Sequence, residues 1–281
     1  MIDTITNLPK PQIYVYKNTI IATAYDCIQS DVIIHEQTNI TTPLGEIVIV
    51  EATKDQTMLV AGPSTKHEMI EVIKRLKKYG PKKILIDGAL FRKSLASTQV
   101  ADAVILSTGA SYDEDIEKVV LDTASIVAQF QVDEIEKDIK KLLPRMNCVI
   151  QKNHVIETIG DIWIHSNTDV LQKVLTKKSR YLYLNGALTD NIIKSLISIR
   201  DQLEDLTLIV NDASHILCSN SYYKKLNKMN ITIKVKHKSN LLFVSYNPTS
   251  PYGYTFDNTR FKQLLEQNID IPCINVLEDR K

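Results

Sequence analysis

The sequence has little of what marks a specialised protein class. It holds four cysteines, Cys27, Cys148, Cys218 and Cys273, far apart and without a Cys-x-x-Cys pair. Such spacing excludes a dense disulfide framework and predicts reduced thiols in a core. No stretch approaches the roughly 20 apolar residues that a bilayer span needs. The start, Met1-Ile2-Asp3-Thr4-Ile5-Thr6, has neither a basic segment nor a long apolar run. A cytoplasmic address with no membrane partner is therefore expected. A strong charge of one sign is also missing. Lys plus Arg is 34, Asp plus Glu is 33, and the net charge is +1. That balance supplies no whole-molecule field for nucleic acid, so none is expected as a partner.

Several motifs are absent as well. There is no G-x-x-x-x-G-K-[ST], no G-x-G-x-x-G after a strand, no H-E-x-x-H and no G-x-S-x-G. The six histidines show no metal-ligand spacing. Phosphate binding, if it occurs, uses something other than the usual glycine-rich loop.

What is present is an ordinary globular composition, 44% apolar and 24% charged over 281 residues. That length suits one large or two modest domains. The first sixty residues carry short runs of Ile, Val, Thr and Tyr between turn signals such as Asn18, Pro43 and Gly45, a β-rich portion. Beyond Gly62 strands alternate with helices. Met69, Val72, Ile73 and Leu76 repeat with helical period over Thr65 to Tyr79, Thr65 and Glu68 form a capping box, and Gly80-Pro81 ends the helix. Strand Lys83 to Asp87 follows, then a continuously apolar strand Asp102 to Thr108 and a helix over Ser111 to Phe130. The charged run Asp133 to Lys141 reads as a solvated helix or a hinge. Later strands are expected at Tyr181 to Leu184, Thr207 to Val210, Thr232 to Val235 and Leu241 to Tyr246, with helices between them.

This rhythm predicts an α/β fold with a mostly parallel sheet, flanking helices and Rossmann-like units. The predicted domains are 1–143, with the β-rich part, and 144–281. Ile84-Leu85-Ile86-Asp87-Gly88-Ala89-Leu90 echoes Leu182-Tyr183-Leu184-Asn185-Gly186-Ala187-Leu188, either by duplication or as two similar strand exits.

Ligands in open α/β sheets settle at the carboxyl ends of strands, which directs attention to five loops. Ser64 and Lys66, in Gly62-Pro63-Ser64-Thr65-Lys66, offer a hydroxyl and an ammonium at a helix start; helix capping is the competing role. Asp87 follows an apolar strand, as a carboxylate near Mg2+ does in phosphoryl-transfer proteins. Arg92, Lys93, Ser94 and Ser97 after it are donors for an anion, and a turn or capping Asp is the alternative. Thr108 and Gly109 lie in a third strand-to-helix loop, where Asp113, Glu114 and Asp115 favour a cap over an anion. Asn185 and the run Asn211-Asp212-Ala213-Ser214-His215 are polar exits suited to ligand or turn.

Several strings resemble a known family. Thr19-Ile20-Ile21-Ala22-Thr23-Ala24, Thr42-Pro43-Leu44-Gly45-Glu46, Ile86-Asp87-Gly88-Ala89-Leu90 with Arg92-Lys93-Ser94, Leu106-Ser107-Thr108-Gly109-Ala110 and Asn247-Pro248-Thr249-Ser250-Pro251 are similar to reactivating accessory subunits of B12-dependent lysine and ornithine aminomutases. The resemblance implies a nucleotide-linked accessory protein that restores the cobalamin cofactor of an aminomutase, partnered by that enzyme or by a second reactivase subunit. The resemblance implies a P-loop strand and helix ahead of the part matching Ile13, where only a dozen residues stand here, so that element is expected to be missing. ATP and Mg2+ are then expected through a partner or that missing element. The readings beside it are an enzyme or sensor for a nucleotide or small phosphorylated metabolite, and a scaffold with no small ligand. Oligomeric state is open.

Overall fold

A computed structural model describes residues 12–28, 31–63, 65–88, 96–152, 154–160, 168–275 and 277–278. The chain divides into two compact units, Met1–Asp87 and Gly88–Lys281.

In the first unit, β1 (Ile13–Val15) pairs antiparallel with β5 (Gln56–Met58). Strands β2 (Ile20–Ala24), β3 (Val32–Thr42) and β4 (Gly45–Ala52) form an antiparallel sheet in the order β2-β4-β3. The central strand is its core: Ile47, Val48, Ile49 and Val50 are each fully buried. Both of its faces are covered, Val48 and Val50 by a cluster with Val15 and Met58 and Ile47 by one with Leu59 and Val72, so four apolar residues run consecutively. Gly45 takes φ +87 at the β3–β4 turn, where side chains are strained. The helix Lys66–Leu76 bears the expected capping box: Thr65 Oγ1 accepts from the Glu68 amide, and the Glu68 carboxylate accepts from the Thr65 amide at 2.9 Å. Gly80 in the left-handed region closes the 3₁₀ turn that follows.

Lys83–Asp87 forms no strand, contrary to expectation. A strand needs a hydrogen-bonded neighbour, none is supplied among the described residues, and Leu85 is left 91% exposed. Of the two echoing segments, only the second begins in a strand, so they are not two similar strand exits.

Among the described residues the second unit holds two sheets. One comprises β6 (Val104–Gly109), β12 (Leu241–Asn247) and β13 (Cys273–Ile274), all parallel, in the order β13-β12-β6. The other, ordered β11-β10-β9-β7-β8, is mixed. Strands β9 (Tyr181–Leu184), β10 (Thr207–Val210) and β11 (Thr232–Val235) are parallel, while β7 (Asn147–Gln151) and β8 (His154–Ile159) join antiparallel. The protein is mixed α/β, with some sheets parallel, rather than mostly parallel. The segment 88–143, grouped by sequence rhythm with the amino-terminal half, places β6 against β12.

The helix expected over Ser111 to Phe130 begins at Ile116. Asp115 caps it by accepting from the amides of Glu117 and Lys118, so the cap is not Ser111. Helices Ile116–Phe130 and Asn258–Asn268 cover β6 and β12 on one side, with Phe261 fully buried against Tyr246 at 5.3 Å between ring centroids. Burying a side chain of that size is worth about 2–3 kcal/mol. Strand β6 is not covered on both faces: Ile105 is 48% exposed. The run Asp133 to Lys141 is mostly exposed but not solvated throughout. Its helix Lys137–Leu142 buries Ile139, and with Ile135 and Leu143 covers the face of the mixed sheet that carries Cys148, Ile150, Tyr183 and Ile209. The opposite face packs on helices Thr168–Val174 and Asp190–Ser198 through Leu171, Ile192 and Leu196.

Candidate functional site

The three parallel strands of the mixed sheet end level with one another: Leu184 pairs with Val210, and Val210 with Val235. Asn185, Asn211 and Lys236 are the next residues, so a row of polar side chains follows a row of apolar ones. The ladder runs one step further, with the Lys236 amide donating to Val210 O at 2.8 Å and the His237 amide to Asn211 O at 2.9 Å. Period-two alternation puts Tyr183, Asn211 and Lys236 on the face covered by helix Lys137–Leu142.

Local bonding fixes this row. The Tyr183 hydroxyl lies 2.7 Å from Asn211 Oδ1 and 3.2 Å from Asn185 Oδ1. Asn211 Nδ2 donates to Asn185 O at 2.7 Å, and the Asn185 amide donates to Oδ1 of the buried Asn147 at 2.9 Å. Asn147 in turn donates to Ile159 O. The amides are thus held by neighbouring strands, a rigid support for a binding row. Lys236 Nζ sits 5.6 Å from the Tyr183 ring centroid, within cation–π range.

Beside this row lies the most enclosed charge among the described residues. Asp212 is fully buried. Its Oδ2 accepts from Ser97 Oγ at 2.8 Å and from the amide and hydroxyl of Thr98 at 3.1 Å. Its Oδ1 accepts from the Ser214 amide at 3.0 Å and hydroxyl at 2.5 Å, and lies 2.9 Å from His215 Nδ1. Burial alone pushes the carboxyl pKa up; hydrogen bonds from His215, Ser214 and Ser97 outweigh it and hold the group ionised, well below the usual carboxylate range. His215 stays partly exposed, with a side-chain accessibility of 20%. A buried carboxylate on Nδ1 orients the ring and fixes its tautomer, as an orienting acid does for a base. At the exit of β11, burial first, then Lys140 and Lys236, push the His237 pKa below 6.5. Burial also drives the Cys148 thiol up to about 11, with Lys236 opposing.

The residues expected from sequence are scattered by comparison. Asn185 stands in the row. Ser64, Arg92, Lys93 and Ser94 lie outside the described residues. Lys66 opens its helix, partly buried, behind the Thr65 cap. Thr108 and Gly109 have structural partners: Thr108 Oγ1 meets Thr123 Oγ1 at 2.8 Å, and a Cβ on Gly109 would stand 2.3 Å from Asn247 O. Asp87 is exposed and follows no strand. Among the described residues no group of three or more His, Cys, Asp or Glu side chains is placed to hold a metal ion, so Mg2+ at Asp87 finds no supporting ligand set there. Ser97, expected to donate to a bound anion, donates instead to the chain's own Asp212.

Sequence reasoning missed Lys236 and His237, whose only local sign was a basic triplet, Lys236-His237-Lys238, at a strand end. A cavity of about 310 Å³ lies at the amino ends of β10 and β11, lined by Arg200, Asp205, Leu206, Lys228 and Ile231. It faces away from these exits, and its mixed charges converge on no single chemistry. No described helix is long and apolar enough to cross a membrane. Comparisons with family models, curated proteins and solved structures found no match.

Proposed function

We propose that this chain binds a small polar ligand, a nucleotide or phosphorylated metabolite, where β9, β10 and β11 end. The observation that supports this is the level row of Asn185, Asn211 and Lys236, held by Tyr183 and Asn147. Read this way, the parallel strands with their connecting helices act as a Rossmann-like unit, and ligand position follows the rule for open α/β sheets. The test is thermal melting against a panel of nucleotides and phosphorylated metabolites. A ligand-dependent rise, reduced by Asn185→Ala or Asn211→Ala, supports the reading. A flat panel removes it.

A second reading rests on the residue strings. On it, the chain is a cytoplasmic, nucleotide-linked accessory protein that restores the cobalamin of a lysine or ornithine aminomutase, together with that enzyme or a second reactivase subunit. Three of the strings fall on built parts of the fold: Ile20–Ala24 is β2, Gly45 turns β3 into β4, and Leu106–Gly109 ends β6. Damaged cobalamin is bulky and tightly held, so its exchange calls for a partner that opens the mutase. Co-purification with an aminomutase, followed by inactivation and rescue, tests it. Equal recovery with and without this chain removes it.

A further inference from the structure

We propose that Lys236 Nζ and Asn185 Nδ2 together receive an oxyanion, the phosphate group of the ligand. This rests on the ligand-site reading above and names the chemistry that the ligand must bring.

The inference follows from counting what hydrogen-bonding capacity remains at these exits. Among the described residues, the carboxylates near these exits already have donors. Asp212 accepts from Ser97, Thr98, Ser214 and His215. Glu134 accepts from Lys140 Nζ at 2.7 Å and from the Lys238 amide at 3.1 Å, and Asp133 from Lys238 Nζ at 3.1 Å. Asn211 Oδ1 takes the Tyr183 hydroxyl proton at 2.7 Å, Asn185 Oδ1 stands 3.2 Å from the same hydroxyl, and Asn185 O takes Asn211 Nδ2.

What remains open is donor capacity. Asn185 Nδ2 has no partner among the described residues, because the Asn185 side chain engages only through its oxygen. Lys236 is half-buried, yet no carboxylate lies within ion-pairing distance among the described residues; its recorded contact is the Tyr183 ring. An ammonium with no carboxylate beside it is free to pair with an arriving anion. The ligand atoms that complement such a row are acceptors carrying negative charge. Tyr183 contacts both donors' residues, through its hydroxyl at Asn185 and its ring at Lys236, and both follow level strands that flank β10.

The experiment is calorimetric titration of the full chain with inorganic phosphate, ADP and adenosine. Phosphate and ADP are expected to bind, ADP more tightly than adenosine, with affinity falling as salt rises. Lys236→Ala is expected to weaken ADP by about tenfold or more, the usual loss for a hydrogen bond to a charged group, and Lys236→Arg to restore most of it. Lys228→Ala, at the opposite strand ends, serves as the control and is expected to leave affinity unchanged. Because Lys236 follows its strand, Lys236→Gln gives a second variant with near-native shape, and the Asn185 side-chain amide resonance should move on phosphate addition. Binding that is indifferent to Lys236→Ala and Lys236→Gln overturns this inference and leaves the ligand-site reading standing. Silence toward phosphate and ADP overturns this inference, and only a flat melting panel besides overturns the ligand-site reading.

Discussion

Ser97 donates a 2.8 Å hydrogen bond to the carboxylate of Asp212, joining positions 115 residues apart in a fully buried contact. With Thr98 it ties the segment before β6 to the exit of β10, next to the proposed ligand row. Donors from both sides keep a carboxylate ionised where none would otherwise survive.

Replacing Asp212 by Asn keeps the shape but puts an amide against donors. One side of the cluster then loses its acceptor, so Asp212→Asn is expected to cost about 3 kcal/mol or more, measured by urea unfolding. The same carboxylate gives stability a pH dependence. Its folded pKa lies below the unfolded value of 3.8, so its contribution is complete well above that value and is lost as pH falls through it toward the folded pKa. In Asp212→Asn the acid limb of the stability profile should flatten, whereas an unchanged limb assigns acid sensitivity elsewhere.

Gly109 gives a steric prediction. Its φ is ordinary, so a side chain is excluded by proximity: a Cβ would lie 2.3 Å from the backbone oxygen of Asn247. Backbone cannot swing aside as a long side chain can, so Gly109→Ala must spread β6 from β12. A loss of about 1–3 kcal/mol is expected, with weakened amide protection in both strands by hydrogen exchange.

The cysteines should behave as core groups. All four are buried, and burial pushes Cys148 and Cys273 from 9.0 to about 11. Two units leave about 100-fold less thiolate at pH 8. Ellman's reagent should therefore label neither until denaturant is added, and rapid labelling of the folded chain would contradict the packing.

His237 reports on Lys236 without any ligand. Burial, Lys140 and Lys236 lower its pKa, while Glu134 and Asp212 oppose them. In Lys236→Ala the imidazole should titrate closer to 6.5, measured by histidine chemical shifts against pH. The change should be upward, because removing a like charge makes the protonated ring easier to hold.

Legibility in the sequence followed range. Thr65 and Glu68 are three positions apart, and their capping box could be read directly. The bounds of β9, β10 and β11 were readable because short apolar runs lie between turn residues. Lys83–Asp87 has the same local look and forms no strand, since a strand is decided by its partner and sequence periodicity carries none. Asp115 displaced Ser111 as cap because several neighbouring residues have capping side chains and tertiary packing selects among them. The antiparallel join of β7 to β9 leaves no mark in spacing, so the sheet read as mostly parallel. Asn185 was visible as a polar strand exit. Lys236 was not, because its role depends on Tyr183 from another strand, and Ser97 could not be matched to Asp212 by any local rule.

The pairing of β6 with β12 also bears on synthesis. Gly109 leaves the ribosome on the order of ten seconds before Asn247 does, at usual elongation rates. During that interval β6 and the apolar face of helix Ile116–Phe130 lack the strand and the Phe261 helix that cover them. The nascent polypeptide thus carries a sticky, half-built layer, and a cut between 143 and 144 would make that temporary condition permanent in both fragments.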